Sequence, residues 1–145
     1  MKEIISQIAT DSEQSKRLIT LGVLPQTADF RFESWNEFSN GTGNWSKPEL
    51  YIGFNSESAS FQGTCRNVVT TPAWSLTQLM AMMPENINGY TLLYNINIGS
   101  LSYASIIRDE ILYLHKFEGK TIFDKLISCI EYLIALNRFN KEYLK

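Results

Sequence analysis

The segment TPAWSLTQLMAMMP, residues 71–84, contains the densest group of helix-starting and helix-ending signals in the chain. Ser75 is a residue type that caps helix N-termini, and Gln78 lies three positions later, where a reciprocal capping box requires Glu or Gln. The pattern predicts a short helix over residues 76–83, because Pro84 cannot continue it.

The residues around this cap indicate how so short a helix is held. Trp74 precedes the cap and Leu79 falls at the fourth helical position, so the pair predicts a hydrophobic staple. A helix of about two turns is unstable alone and depends on packing. We therefore expect Trp74 to be buried in the core.

Helical periodicity occurs in three other segments. Asp11 is a predicted N-cap, and Gly22 supplies the left-handed position that commonly ends a helix. Thr121 is a predicted N-cap with Asp124 at the capping-box position. The predicted helices are about 2–9, 12–21 and 122–137, in addition to 76–83.

Period-two alternation predicts the strands. Short strands are expected near residues 30–35 and 50–54, and a three-stranded antiparallel meander over about 89–117. Ile and Leu occur on both faces of residues 101–117, so the pattern leaves open which face is buried. The fold class is therefore α+β: a single domain over residues 1–145, with an antiparallel sheet packed by helices.

Composition limits the possible partners. The chain has 145 residues and a formal net charge of -2, and its basic side chains are scattered. Nucleic acid is therefore not an expected partner, since binding to its backbone relies on clustered Lys and Arg. No apolar run approaches transmembrane length, and the N-terminal residues lack the apolar core of a signal peptide. A cytoplasmic protein with no membrane partner is expected.

The residues that carry chemistry are few. His115 is the single histidine, so zinc sites built on several histidines are excluded within one chain. Cys129 lies on the apolar face of the last predicted helix, where a free cysteine usually packs. Cys65 lies in a polar segment and is the better nucleophile candidate. We assign no catalytic residue, no metal site and no cofactor, and expect His115 to be structural.

The loop over about residues 34–48 has no pattern that serves the fold. It is rich in Gly, Asn and Ser, yet it contains Trp35, Phe38 and Trp45. Exposed aromatic residues in loops often anchor protein partners or stack on sugars. The alternative is that the rings fold back over the sheet edge as a satellite cluster. We take the three aromatic residues as the candidate binding site.

Several short motifs carry a resemblance to a known group. They are SKRLI (15–19), Gly22-Val23, TAD (27–29) and PAWSL (72–76), followed by Leu79 and Pro84. With a sheet meander and a closing amphipathic helix, these motifs resemble small hypothetical proteins of phages and prophages of gut bacteria. The resemblance implies a mobile-element origin, and no activity, cofactor or site residue comes with it.

These observations rank three functions. The first is a non-enzymatic interaction or accessory protein that binds a phage or host protein. The second is a carbohydrate or small-ligand binding module that uses the loop aromatics. A small enzyme is a distant third, and the sequence leaves both enzymatic activity and oligomeric state open.

Overall fold

The structure, a computed structural model, describes residues 7–54 and 67–145. Its helices and antiparallel sheets give an α+β fold, which confirms the predicted class. The backbone divides into two compact units, Met1–Gln78 and Leu79–Lys145. The single domain over 1–145 stays a prediction.

The first unit contains a three-stranded antiparallel sheet. Its elements are α1 (Ser12–Thr20), a 3₁₀ turn (Pro25–Thr27), β1 (Phe30–Trp35), β2 (Glu49–Ile52) and β3 (Val68–Ala73). The strand order is β2-β1-β3, so β1 is central. Phe30 lies opposite Ile52 on one side and opposite Ala73 on the other.

Strand β3 was not predicted, and it contains Pro72, a residue type that is uncommon within sheets. Pro72 lies opposite Arg31 in the ladder. The position is tolerated because β3 is an edge strand of this sheet, where a missing N–H can face outward.

Helix α1 begins and ends as predicted. Asp11 accepts a hydrogen bond from the Gln14 N–H, and the Gln14 side chain accepts one from the Asp11 N–H. At the other end Gly22 has φ +95, and the Val23 N–H donates to the Leu18 carbonyl. The two caps therefore fix the length of this helix.

The predicted helix at 2–9 is only partly open to comparison, since residues 1–6 lie outside the described residues. Its last part is wrong, because residues 7–9 are not helical. Ala9 instead forms an isolated antiparallel bridge with Ser75, and the Thr10 N–H donates to the Trp74 carbonyl at 2.9 Å. Pairing with the end of β3 replaces the helical bonds.

Helix α2 (Leu76–Met82) confirms the helix predicted at 76–83, and the boundary between the units falls inside it. Ser75 Oγ accepts from the Gln78 N–H at 3.1 Å, so half of the capping box is present. The other half is replaced: the Ser75 N–H donates to Asp29 Oδ1 at 2.8 Å. The Gln78 side chain donates instead to the Thr27 carbonyl at 2.6 Å.

Trp74 is fully buried, as expected. Its indole Nε1 donates to Thr27 Oγ1 at 2.8 Å, and its backbone N–H donates to Thr10 Oγ1 at 3.0 Å. The indole N–H, the one polar group of the buried ring, is therefore hydrogen-bonded, as is usual for a buried Trp.

The second unit contains a four-stranded antiparallel sheet and the last helix. Its strands pair in the order β4-β5-β6-β7, so the predicted meander is confirmed and β4 extends it. Helix α3 packs on β6 and β7. The elements are β4 (Asn86–Ile87), β5 (Tyr90–Asn95), β6 (Ser100–Ile107), β7 (Glu110–Phe117), α3 (Ile122–Ala135) and a 3₁₀ turn (Lys141–Tyr143).

Helix α3 begins at the predicted cap, where Thr121 and Asp124 form a reciprocal capping box. One face of the helix is buried, and that face includes Phe123, Leu126 and Ile130. An added Cβ at Gly119 would come within 2.9 Å of the Lys125 backbone nitrogen. The chain therefore enters this helix too closely for any larger residue at that position.

The predicted strands belong to two sheets, which corrects the expectation of one. Strands β1 and β2 pair with each other and with β3, whereas the meander pairs only with β4 among the described residues. Alternation within a strand says which residues share a face but not which strands are neighbours. The sequence pattern therefore could not separate the sheets.

We predict that Ser75 and Asp29 stabilise the start of α2 as one unit. Ser75→Ala should lower the free energy of unfolding by about 1 kcal/mol through loss of the cap. Asp29→Ala should lower it by about 1–3 kcal/mol, because the Ser75 N–H and the Ser75 hydroxyl both lose their acceptor. In urea unfolding, the double variant should lose less than the sum of the single variants. Additive losses would contradict the coupling.

Candidate functional site

The aromatic loop closes a hairpin between β1 and β2. The Ser46 N–H donates to the Trp35 carbonyl at 2.7 Å, and the Trp35 N–H donates to Ser46 Oγ at 2.8 Å. Asn36 and Trp45 then form an isolated antiparallel bridge. Residues 34–48 are therefore a hairpin, which we call the aromatic hairpin, and residues 37–44 form its tip.

The buried Asn36 side chain holds the tip together. Its Nδ2 donates to the Gly43 carbonyl at 2.8 Å, and its Oδ1 accepts from the N–H groups of Phe38 and Gly43, both at 3.0 Å. The Asn36 backbone N–H donates to the Asn67 carbonyl at 2.6 Å. The Asn36 side-chain amide thus hydrogen-bonds three backbone groups of the tip, which would otherwise need water as their partner.

The three predicted site residues are all about half exposed. Trp35 is 48% exposed, Phe38 55% and Trp45 44%. The Phe38 ring lies against Gly43, because an added Cβ there would overlap its Cδ2 atom. The rings are therefore neither buried in a core nor free in solvent.

The hairpin does not bring the two tryptophans together as one stack. Trp45 lies opposite Asn36 in the bridge, so these two side chains share a face. Trp35 precedes Asn36 in the chain, and successive side chains of extended backbone point to opposite faces. The aromatic surface therefore extends over both faces of the hairpin.

Cys129, one of the two nucleophile candidates, is a buried packing residue. Burial raises the pKa of its thiol, and the neighbouring Tyr103 hydroxyl opposes part of that shift. The Tyr103 hydroxyl donates to the Pro84 carbonyl at 2.7 Å. A buried thiol that stays protonated cannot act as a nucleophile. Cys65, the other candidate, lies outside the described residues.

His115 lies on β7 in a group of aromatic rings. Its ring stacks on that of Tyr132, with centroids 4.6 Å apart and planes at 15°. The Phe117 ring lies 4.9 Å away. The exposed imidazole on β7 therefore stacks on a ring of α3, and its structural role stays a prediction.

Two carboxylates near β1, Asp29 and Glu33, make separate structural contacts. Asp29 accepts from Ser75 at the start of α2. Glu33 forms an ion pair with Arg31 at 2.8 Å. Within residues 7–54 and 67–145, no group of three His, Cys, Asp or Glu side chains is placed to hold a metal ion. In the same ranges, no helix combines the length and apolar character needed to cross a membrane.

A second exposed surface, which was not predicted from the sequence, lies at the distal end of the β6–β7 hairpin. Its apolar side chains are all exposed: Ile106, Ile107, Ile111, Leu112, Tyr113 and Leu114. The signal was present in the sequence, since Ile and Leu fall on both faces of these strands. The pattern was ambiguous because both faces are exposed here, whereas β6 is buried only at residues 101–104.

Comparison of the chain with protein-family models, with curated proteins and with solved structures finds no match.

We predict that protonated Cys129 makes stability fall at alkaline pH. Below the ordinary thiol pKa of 9.0 both folded and unfolded chains hold the proton. Above it the unfolded chain loses the proton and the folded chain keeps it, so rising pH favours unfolding. Urea unfolding between pH 7 and 10.5, in a Cys65→Ser background, should show this decline. Adding Cys129→Ala should make it shallower, and an unchanged slope would contradict the prediction.

We also predict that Asn36→Ala loosens the tip of the aromatic hairpin. Loss of its side-chain bonds should cost about 1–3 kcal/mol, because the tip's backbone groups lose their partner. Hydrogen exchange at the amides of Phe38 and Gly43 should accelerate. Asn44→Ala is the matched control, since the Asn44 side chain is exposed in the same tip and its loss should change stability by less than about 0.5 kcal/mol. Equal effects of the two variants would contradict the role of Asn36.

Proposed function

We propose that this chain is a non-enzymatic interaction protein of phage or prophage origin, which binds a protein partner in the cytoplasm through the aromatic hairpin. The observation that carries the proposal is the combination of an ordered backbone with exposed rings. Asn36 and Ser46 hold the hairpin, while Trp35, Phe38 and Trp45 each keep about half of their surface exposed.

Order matters because binding costs conformational entropy. A loop whose backbone is already bonded loses little freedom when a partner docks, so more of the contact energy appears as affinity. Trp and Tyr are enriched among residues that dominate binding energy, since they add large contact areas with few rotatable bonds. The aromatic hairpin combines both properties.

The arrangement of the rings favours a protein over a sugar. A saccharide that stacks on two tryptophans needs both rings on one side of a cleft. Trp35 and Trp45 instead project from opposite faces of the hairpin. A protein groove that receives the hairpin can contact both faces, so a protein partner uses all three rings. Carbohydrate binding remains the competing outcome of the test.

We predict that Phe38→Ser with Trp45→Ser abolishes binding without unfolding the protein. Both side chains are half exposed, so the melting temperature should fall by less than about 4 °C. Immobilised wild-type protein should retain a defined protein from a bacterial host lysate, and the double variant should not. The same preparations are to be applied to a glycan array.

Ile98→Ser is the matched control, since Ile98 is exposed but lies outside the hairpin. It should retain the same captured protein as the wild type. A large loss of stability in the double variant would show that the rings belong to the core. Binding on the glycan array that depends on Trp45 would replace the protein partner with a saccharide.

A further inference from the structure

Strand β7 is an edge strand with an open outer side. The sheet order ends at β7, and none of the described residues pairs with its outer edge. All of its side chains from Glu110 to Lys116 are exposed. An exposed edge offers a row of backbone donors and acceptors to another strand.

The distal part of the β6–β7 hairpin extends beyond the rest of the sheet. Strand β5 pairs with β6 only as far as Ala104, whereas β6 and β7 remain paired as far as Ile107 and Glu110. Residues 105–114, which we call the arm, therefore include a two-stranded ribbon. A two-stranded ribbon is marginally stable in water unless something packs on it.

The arm is apolar on both faces. Ile106 and Ile111 are paired and share one face, while Leu112 lies opposite Ser105 on the other. Ile106 is 65% exposed and Ile111 49%. Contiguous exposed apolar surface of this kind marks an interaction site on a folded protein.

We infer that a second copy of this chain docks on β7 by antiparallel strand pairing. The two outer edges of β7 would then join two four-stranded sheets into one. The outer edge of β7 shares no residue with the aromatic hairpin. The charges and the outward backbone groups of β7 favour a second copy as the partner.

The charges of β7 favour a copy of itself in antiparallel orientation. Strand β7 begins with the acidic Glu110 and ends near the basic Lys116, and the turn before it carries one charge of each sign, Arg108 and Asp109. Antiparallel pairing brings Glu110 of each copy to the end of the strand where Lys116 of the other copy lies. Parallel pairing would place Glu110 beside Glu110 of the second copy, which is unfavourable.

The turn determines which backbone groups point outward. Arg108 and Asp109 both have positive φ, 51 and 65, and form a two-residue turn between paired Ile107 and Glu110. In such a hairpin the flanking pair is hydrogen-bonded, and pairs then alternate along the ladder. The N–H and C=O groups of Ile111 and Tyr113 therefore point away from β6.

Those outward groups select one register. Two copies satisfy them mutually when Ile111 of each lies opposite Tyr113 of the other, with Leu112 opposite Leu112 on the two-fold axis. The irregularity in the ladder, where Tyr103 pairs with His115 and Ala104 with Tyr113, lies just beyond this stretch. Residues 111–113 therefore keep a regular alternation of side chains between the two faces of the sheet. In the dimer, exposed apolar side chains of one arm would contact those of the other arm.

Disulfide trapping tests the register. In a Cys65→Ser background, Leu112→Cys places two thiols on the two-fold axis, with Cα atoms roughly 4.5 Å apart, within reach of a disulfide. Ile111→Cys is the matched control, since its two copies would be diagonal neighbours roughly 7–8 Å apart. Non-reducing electrophoresis after mild oxidation should show a covalent dimer for Leu112→Cys and little for Ile111→Cys. Equal cross-linking of the two variants would overturn the inference.

Sedimentation of the protein without added cysteines tests the association itself. Wild-type protein should dimerise reversibly as its concentration rises. Ile111→Pro removes an outward N–H that none of the described strands uses, so it should weaken the dimer about tenfold or more. Its thermal unfolding at low concentration should match that of the wild type. A wild-type protein that stays monomeric at about 100 µM would overturn the inference, whatever other partner it bound.

Discussion

The hydrogen bonds around Trp74 and Ser75 determine the geometry of the first unit. Trp74 bonds Thr10 and Thr27, and Ser75 bonds Asp29, so three segments distant in sequence meet within two residues. β1 begins directly after Asp29, and α2 begins directly after Ser75. The same contacts therefore align β3 with β1 and set the first turn of the helix. Since these polar groups are buried or partly buried, each unmade bond would cost more than an exposed one.

Local sequence patterns predicted where most helices and strands begin. Contacts between residues distant in sequence could not be predicted from such patterns. The caps at Asp11 and Thr121 act within three residues, so their residue types alone identify them. The partner of Ser75 is Asp29, which is 46 positions away, and no spacing rule connects such residues. The same limit applies to Pro72 in β3, since a proline is tolerated there because the strand lies at the sheet edge.

For the candidate site, the sequence identified the exposed aromatic residues but not their arrangement in space. Composition identified Trp35, Phe38 and Trp45 because aromatic rings are unusual in a polar loop. It could not identify Asn36, whose importance comes from the turn that brings Gly43 to its amide. It also could not place the two tryptophans on opposite faces, since that follows from the Asn36–Trp45 bridge. On β7 the ambiguous pattern was itself informative, because a strand apolar on both faces needs cover on both.

The two exposed surfaces differ in what they offer a partner. In the aromatic hairpin the backbone groups of Trp35, Asn36 and Ser46 already have partners, so recognition there depends on side chains and on the shape of the partner. On β7 the outer backbone groups have no partner among the described residues. Strand pairing accepts many side chains but demands a free edge. A second copy always brings such an edge, and its acidic and basic ends match in the antiparallel direction. Self-pairing would also cover the edge that otherwise invites uncontrolled aggregation.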